Sequence, residues 1–80
     1  MSESKSQKLI KMVNQIALNM AANGSDEMVA DQVAQHLEKF WSPPMKSLIA
    51  EQLSVADSSL TPVAKMAIAN LAKIQEAKHA

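Results

Sequence analysis

Gln35-His36-Leu37-Glu38-Lys39-Phe40-Trp41-Ser42-Pro43-Pro44-Met45-Lys46 is the stretch on which the fold turns. It holds the only phenylalanine, the only tryptophan and two of the three prolines of the chain. Proline has no N–H and a fixed φ, so it fits the first turn of a helix, where the N–H has no partner anyway. The run therefore reads as a helix-to-helix corner. Phe40 and Trp41 close one helix, Ser42 is the N-cap, and Pro43 and Pro44 open the next. Two readings of the aromatic pair stand side by side. Both rings plug the core at the corner, or Trp41 is partly exposed and docks on a partner, since tryptophan is enriched at binding hot spots.

Working outward, the same logic recurs along the chain. From Lys5 to about Ala22, Leu9, Val13, Ile16 and Met20 recur at spacings of three and four, the period of an amphipathic helix. Ile10, Met12 and Ala17 widen that stripe. Asn23-Gly24-Ser25 stops the helix, with Gly24 expected in the left-handed conformation. Ser25 or Asn23 then caps a second helix, and Asp26 and Glu27 suit its positive N-terminal end. Its inward stripe reads Val29, Val33, Leu37 and Phe40, with Ala30 and Ala34 permitting close approach. A third helix runs from Pro43 to about Leu53, with Met45, Leu48, Ile49 and Leu53 inward. Ser54–Ser59 reads as a loop. Thr61-Pro62 repeats the hydroxyl-then-proline punctuation and opens a fourth helix carrying Val63, Met66, Ala67, Ile68, Leu71 and Ile74, followed by a polar tail. The expected fold is all-α: a small bundle of four short helices in a single domain over residues 1–80, frayed at 1–4 and 76–80.

Composition bounds the function. Eighty residues, 48% of them hydrophobic, make one small domain with a thin stability margin rather than a disordered chain. The six methionines are adaptable packing material. Lys+Arg and Asp+Glu balance at eight each, and every one of the eight cations is lysine. The absence of arginine counts against specific nucleic-acid binding, which leans on bidentate Arg contacts. Lys5, Lys8 and Lys11 share one helix side, most simply a solvated face. With no cysteine there is no disulfide, thiolate nucleophile or iron–sulfur ligation on this chain. With no signal peptide and no long apolar run, the chain is expected in the cytoplasm and off the membrane.

Very little in the sequence points to chemistry, and an independent enzyme is not expected. His79 lies in the tail. His36 reads as a helix-surface residue or an interface hydrogen-bonding group, and no second histidine stands at ligand spacing to make a metal site. Asp26-Glu27 is explained by the helix dipole, and one glycine cannot build a phosphate loop. Asn14-Gln15, two amides in an otherwise apolar helix, either face water or bond to backbone across a protein–protein contact. Asp57-Ser58-Ser59-Leu60 is similar to the Asp-Ser-Leu motif of acyl carrier proteins. The extra serine, the place before the last helix and the neutral charge all argue against that reading.

Three segments together carry a family resemblance. Lys8-Leu9-Ile10-Lys11-Met12-Val13-Asn14-Gln15-Ile16-Ala17 resembles the opening of the small delta subunit of NAD-dependent formate dehydrogenase, which reads Leu-Val-Lys-Met-Ala-Asn-Gln-Ile-Ala. His36-Leu37-Glu38-Lys39-Phe40-Trp41-Ser42-Pro43-Pro44-Met45-Lys46 resembles that family's His-Leu-x-x-Phe-Trp-x-Pro-x-Met-Arg run, with Lys46 in place of the usual arginine. Leu60-Thr61-Pro62-Val63-Ala64 is similar to its Leu-x-Pro-Leu-Val. The matches come in order and cover most of residues 8–70. The resemblance implies a non-catalytic accessory subunit that supports assembly, cofactor retention or stability of the large subunit. It implies a molybdenum or tungsten pterin and iron–sulfur clusters on the large subunit, and flavin (FMN) and NAD on other subunits, with no cofactor, metal or catalytic residue here. Asn14, Gln15, His36, Phe40, Trp41, Pro43, Met45 and Lys46 are the candidate partner contacts. The alternative reading is a free-standing helical adaptor or regulator, or a homodimer.

Overall fold

Each of the four α-helices among the described residues follows a hydroxyl residue. The computed structural model describes residues 4–55 and 59–79, and places α1 at Lys5–Asn19, α2 at Asp26–Phe40, α3 at Pro43–Glu51 and α4 at Pro62–His79. There is no strand among the described residues. Three of the hydroxyls act as caps. Ser4 Oγ accepts from the Gln7 N–H at 3.2 Å while Gln7 Oε1 accepts from the Ser4 N–H at 3.1 Å, a reciprocal capping box. Ser25 Oγ accepts from the Met28 N–H and Thr61 Oγ1 from the Ala64 N–H, both at 3.3 Å.

Ser42 is the exception, and it corrects the expectation of a side-chain cap. It occupies the N-cap position but its hydroxyl makes no capping bond. A cap normally serves the N–H of the second or third helical residue, and Pro44 removes the first of these. The prolines themselves set the helical φ, and the first turn closes through the Lys46 N–H to the Ser42 carbonyl at 3.0 Å. The other end of the first connection also differs from expectation. α1 stops at Asn19, and Ala21–Asn23 tighten into a 3-10 turn. Gly24 then adopts φ 155°, ψ −159°, which is an extended glycine-only conformation rather than the left-handed one. A Cβ there would also meet Met28 Sδ at 3.0 Å.

The core forms chiefly where α2 meets α4. Ala30, Val33, Ala34 and Leu37 from α2, and Ala64, Ala67, Ile68 and Leu71 from α4, are completely buried. The alanines let the two helices approach closely. α1 contributes Val13 and α3 contributes Ile49, also fully buried, and Ile16, Met45, Leu48, Val63 and Ile74 pack around them. Expected inward residues Phe40, Leu53 and Met66 instead point outward. At the end of α2 the stripe Val29, Val33, Leu37 can continue three or four residues on. The chain continues it with Trp41, 7% exposed, and leaves Phe40 71% exposed. Trp41 leaves the helix in an extended conformation, while its N–H still donates to the Leu37 carbonyl at 2.9 Å. The larger ring therefore enters the core. The third helix ends at Glu51 and passes into a 3-10 turn at Gln52–Ser54, which turns Leu53 out. The polar residues expected as a tail continue α4 to His79. Asp57 and Ser58 of the carrier-like run lie outside the described residues, as do residues 1–3 and 80. No helix among the described residues is long and apolar enough to cross a membrane.

Candidate docking surface

The aromatic–proline corner divides into an inner and an outer half. In the inner half Leu37 and Trp41 are core residues. Lys46 is buried as well, at 8% exposure, and its Nζ donates to the Glu38 backbone carbonyl and to Glu38 Oε2, both at 3.3 Å. Lys78 near the end of α4 pairs with Glu38 Oε1. One carboxylate thus ties the start of α3 and the end of α4 to α2. The Lys78 ammonium, with Lys46 adding to it, holds the Glu38 carboxyl below its ordinary value of 4.5 against the opposing effect of burial.

Trp41 and Lys46, two of the candidates for partner contact, are thus turned inward and engaged within the chain, and for Trp41 this is the core-plug reading of the corner. A lysine whose stem crosses buried surface to reach a carboxylate and a carbonyl serves where a bidentate arginine is not required. The outer half holds the exposed residues. The Phe40 ring lies over half-buried His36, with centroids 4.8 Å apart and planes tilted by 44°. Ser42, Pro43 and Pro44 are exposed in succession.

The two amides of α1 also separate. Asn14 Nδ2 donates to the Ser59 carbonyl at 2.8 Å and its Oδ1 accepts from the Thr61 N–H at 3.0 Å. It clips α1 to the chain entering α4, so the backbone it bonds belongs to its own chain. Gln15 is exposed, and its Nε2 donates to Asn19 Oδ1 at 3.0 Å one helical turn on.

Sequence reasoning missed an open groove of about 430 Å³ between α1 and α3. Leu9 and Met12 line it from α1, and Pro44, Met45 and Leu48 line it from α3. Lys5 and Lys8 border it. Of the expected contact residues, Met45 alone is part of this groove. A signal for it lies in the first turn of α1, which carries lysine where an acid is the usual choice, beside a stripe widened by Met12. Among the described residues no group of three acidic, histidine or cysteine side chains could hold a metal ion.

Comparison with known proteins adds one finding. A family model described as NADH-dependent formate dehydrogenase delta subunit FdsD matches residues 8–68. The match takes in α1 from Lys8 on, α2, the corner, α3 and the first turns of α4. No protein of curated function and no solved structure matches the chain.

Proposed function

Since the chain belongs to the FdsD family of NADH-dependent formate dehydrogenase delta subunits, we propose that it is a non-catalytic accessory subunit. In this reading it supports assembly, cofactor retention or stability of the large subunit through protein–protein contacts. The pterin centre with its molybdenum or tungsten, the iron–sulfur clusters, the FMN and the NAD site then reside on the partner subunits.

The observation that carries this reading is the family match over residues 8–68. The geometry supports it. The polar groups with the most specific bonds, Asn14, Glu38 and Lys46, hold this fold together. The features turned outward are an aromatic ring, two prolines and an apolar groove, which suit contact with protein.

Formate dehydrogenase purified from cells with and without this chain tests the proposal. Molybdenum or tungsten content, measured by mass spectrometry, and formate-dependent NAD reduction are both expected to fall without it. The chain alone is expected to give no turnover with formate and NAD. A complex lacking the chain, yet fully loaded and fully active, would overturn the reading.

A further inference from the structure

We propose that the groove between α1 and α3 is the docking site for an acidic, apolar-anchored segment of the large subunit. In that segment Asp or Glu flanks a leucine-, methionine- or phenylalanine-sized side chain. The inference rests on the accessory-subunit reading and names the surface and the partner chemistry that reading leaves open.

The apolar part of the argument is the groove itself. Leu9, Met12, Met45 and Leu48 face it from two helices, and Met12 remains 44% exposed. The volume of about 430 Å³ is that of a binding pocket, but the groove is open to solvent. A small ligand in it would keep much of its own surface wet, whereas ligand pockets bury most of theirs. A helix or extended segment laid along two helices buries apolar anchors in such a groove. Methionines on both walls adapt to the anchor's shape.

Charge selects the flanking residues. Lys5 is the first residue of α1 and Lys8 stands one turn in, at the end where the helix dipole already places positive potential. α1 has no acid in its first turn, and neither lysine forms an ion pair with a described residue. α2 shows the ordinary solution, with Asp26 and Glu27 in its first turn. Two lysines beside an apolar groove with no ion pair among the described residues thus cost the free chain a little stability, and a carboxylate from a partner relieves that cost. In this chain's own acidic–apolar run, Asp26-Glu27-Met28, the acids serve the N-terminus of α2, and Met28, though 55% exposed, lies against Gly24. A second copy offering this run would have to draw its acids from the α2 N-terminus, which makes it the poorer occupant.

The test measures binding of the full chain to the large subunit purified from cells lacking it, with free-chain melting recorded in parallel. Lys5→Glu combined with Lys8→Glu is expected to weaken binding at least about tenfold at low salt, with the gap narrowing as salt screens the rim charges. The same variant is expected to melt no lower than the natural chain, because acids suit the first turn of α1. Met12→Ser is expected to weaken binding about tenfold at all salt concentrations, without loss of melting temperature. A photo-reactive residue at position 12 is expected to cross-link to a large-subunit peptide containing Asp or Glu. Unchanged binding by both variants, from a natural chain that does bind, overturns the groove and leaves the accessory reading standing. So does a cross-link only to a second copy. A natural chain that fails to bind overturns both.

Discussion

α2 and α4 meet along small, fully buried residues, and α1 and α3 meet around a groove. In the first pair Ala30, Ala34, Ala64 and Ala67 bring the helices together, and Glu38 joins Lys78 near their ends. In the second pair Leu9, Met12, Met45 and Leu48 contribute bulk that does not close the seam. Both pairs are apolar, so hydrophobicity alone does not distinguish them. What differs is side-chain size and the use of charge. Glu38 of the closed pair is tied within the chain to Lys78 and Lys46, while Lys5 and Lys8 of the open pair stand beside apolar surface without an ion pair among the described residues. Stability is concentrated in one pair of helices, and the other is left available to a partner.

The largest effects should come from breaking the closed side. Trp41→Ala is expected to cost about 3–5 kcal/mol in denaturant unfolding, the range for a buried aromatic. Its neighbour gives the contrast. Phe40→Ala is expected to change stability by less than about 0.5 kcal/mol, because the ring is mostly in solvent. Equal losses from both would erase the distinction between the inner and outer halves of the corner.

A middle-sized effect belongs to the clip between the two sides. Asn14→Ala removes both bonds to the chain entering α4 and is expected to cost about 1–2 kcal/mol. Exchange of the Thr61 amide should accelerate with it, and an unchanged rate would mean the clip does not hold that segment. The caps sharpen the comparison further. Ser25→Ala is expected to cost about 1 kcal/mol, whereas Ser42→Ala should cost less than about 0.5 kcal/mol because its hydroxyl caps nothing. Thermal melts of the two variants side by side would show the difference.

The smallest effect is the pH dependence of the Glu38 tie. Its carboxyl is held below 4.5 in the fold, so the protons it binds in the unfolded chain outnumber those in the native one across that interval. The contribution is present in full above the unfolded value. It is lost as pH falls through the folded one. Melting temperature should therefore drop on acidification through that window, and Glu38→Gln should flatten the drop. An equally steep drop in the variant would assign it to other carboxylates.

Three of the four helices were legible twice over, by an apolar stripe of period three to four and by a hydroxyl or hydroxyl–proline start; α1 was legible from its stripe alone, and its Ser4 cap falls in the stretch expected to fray. Residues 29, 33 and 37 needed no tertiary knowledge to be placed inside. The corner was legible as a corner but not in its detail. Phe40 and Trp41 lie three and four residues beyond Leu37, and helical spacing admits either. The choice is made by where the chain leaves α2, which only the packed structure contains. Lys46 illustrates the same limit. Its pairing with Glu38 spans a bend between two helices, so no single-helix spacing rule reveals it. The groove is a gap between elements distant in sequence, and only the misplaced lysines of α1 hinted at it.

Hydrogen–deuterium exchange of the chain, free and bound to the large subunit, tests the division between closed and open sides most directly. Binding should slow exchange at residues 5–12 and 43–48, which border the groove. Residues 29–37 and 64–71, already buried in the α2–α4 pair, should exchange as before. A complex that forms with no slowing at 5–12 and 43–48 would contradict the account.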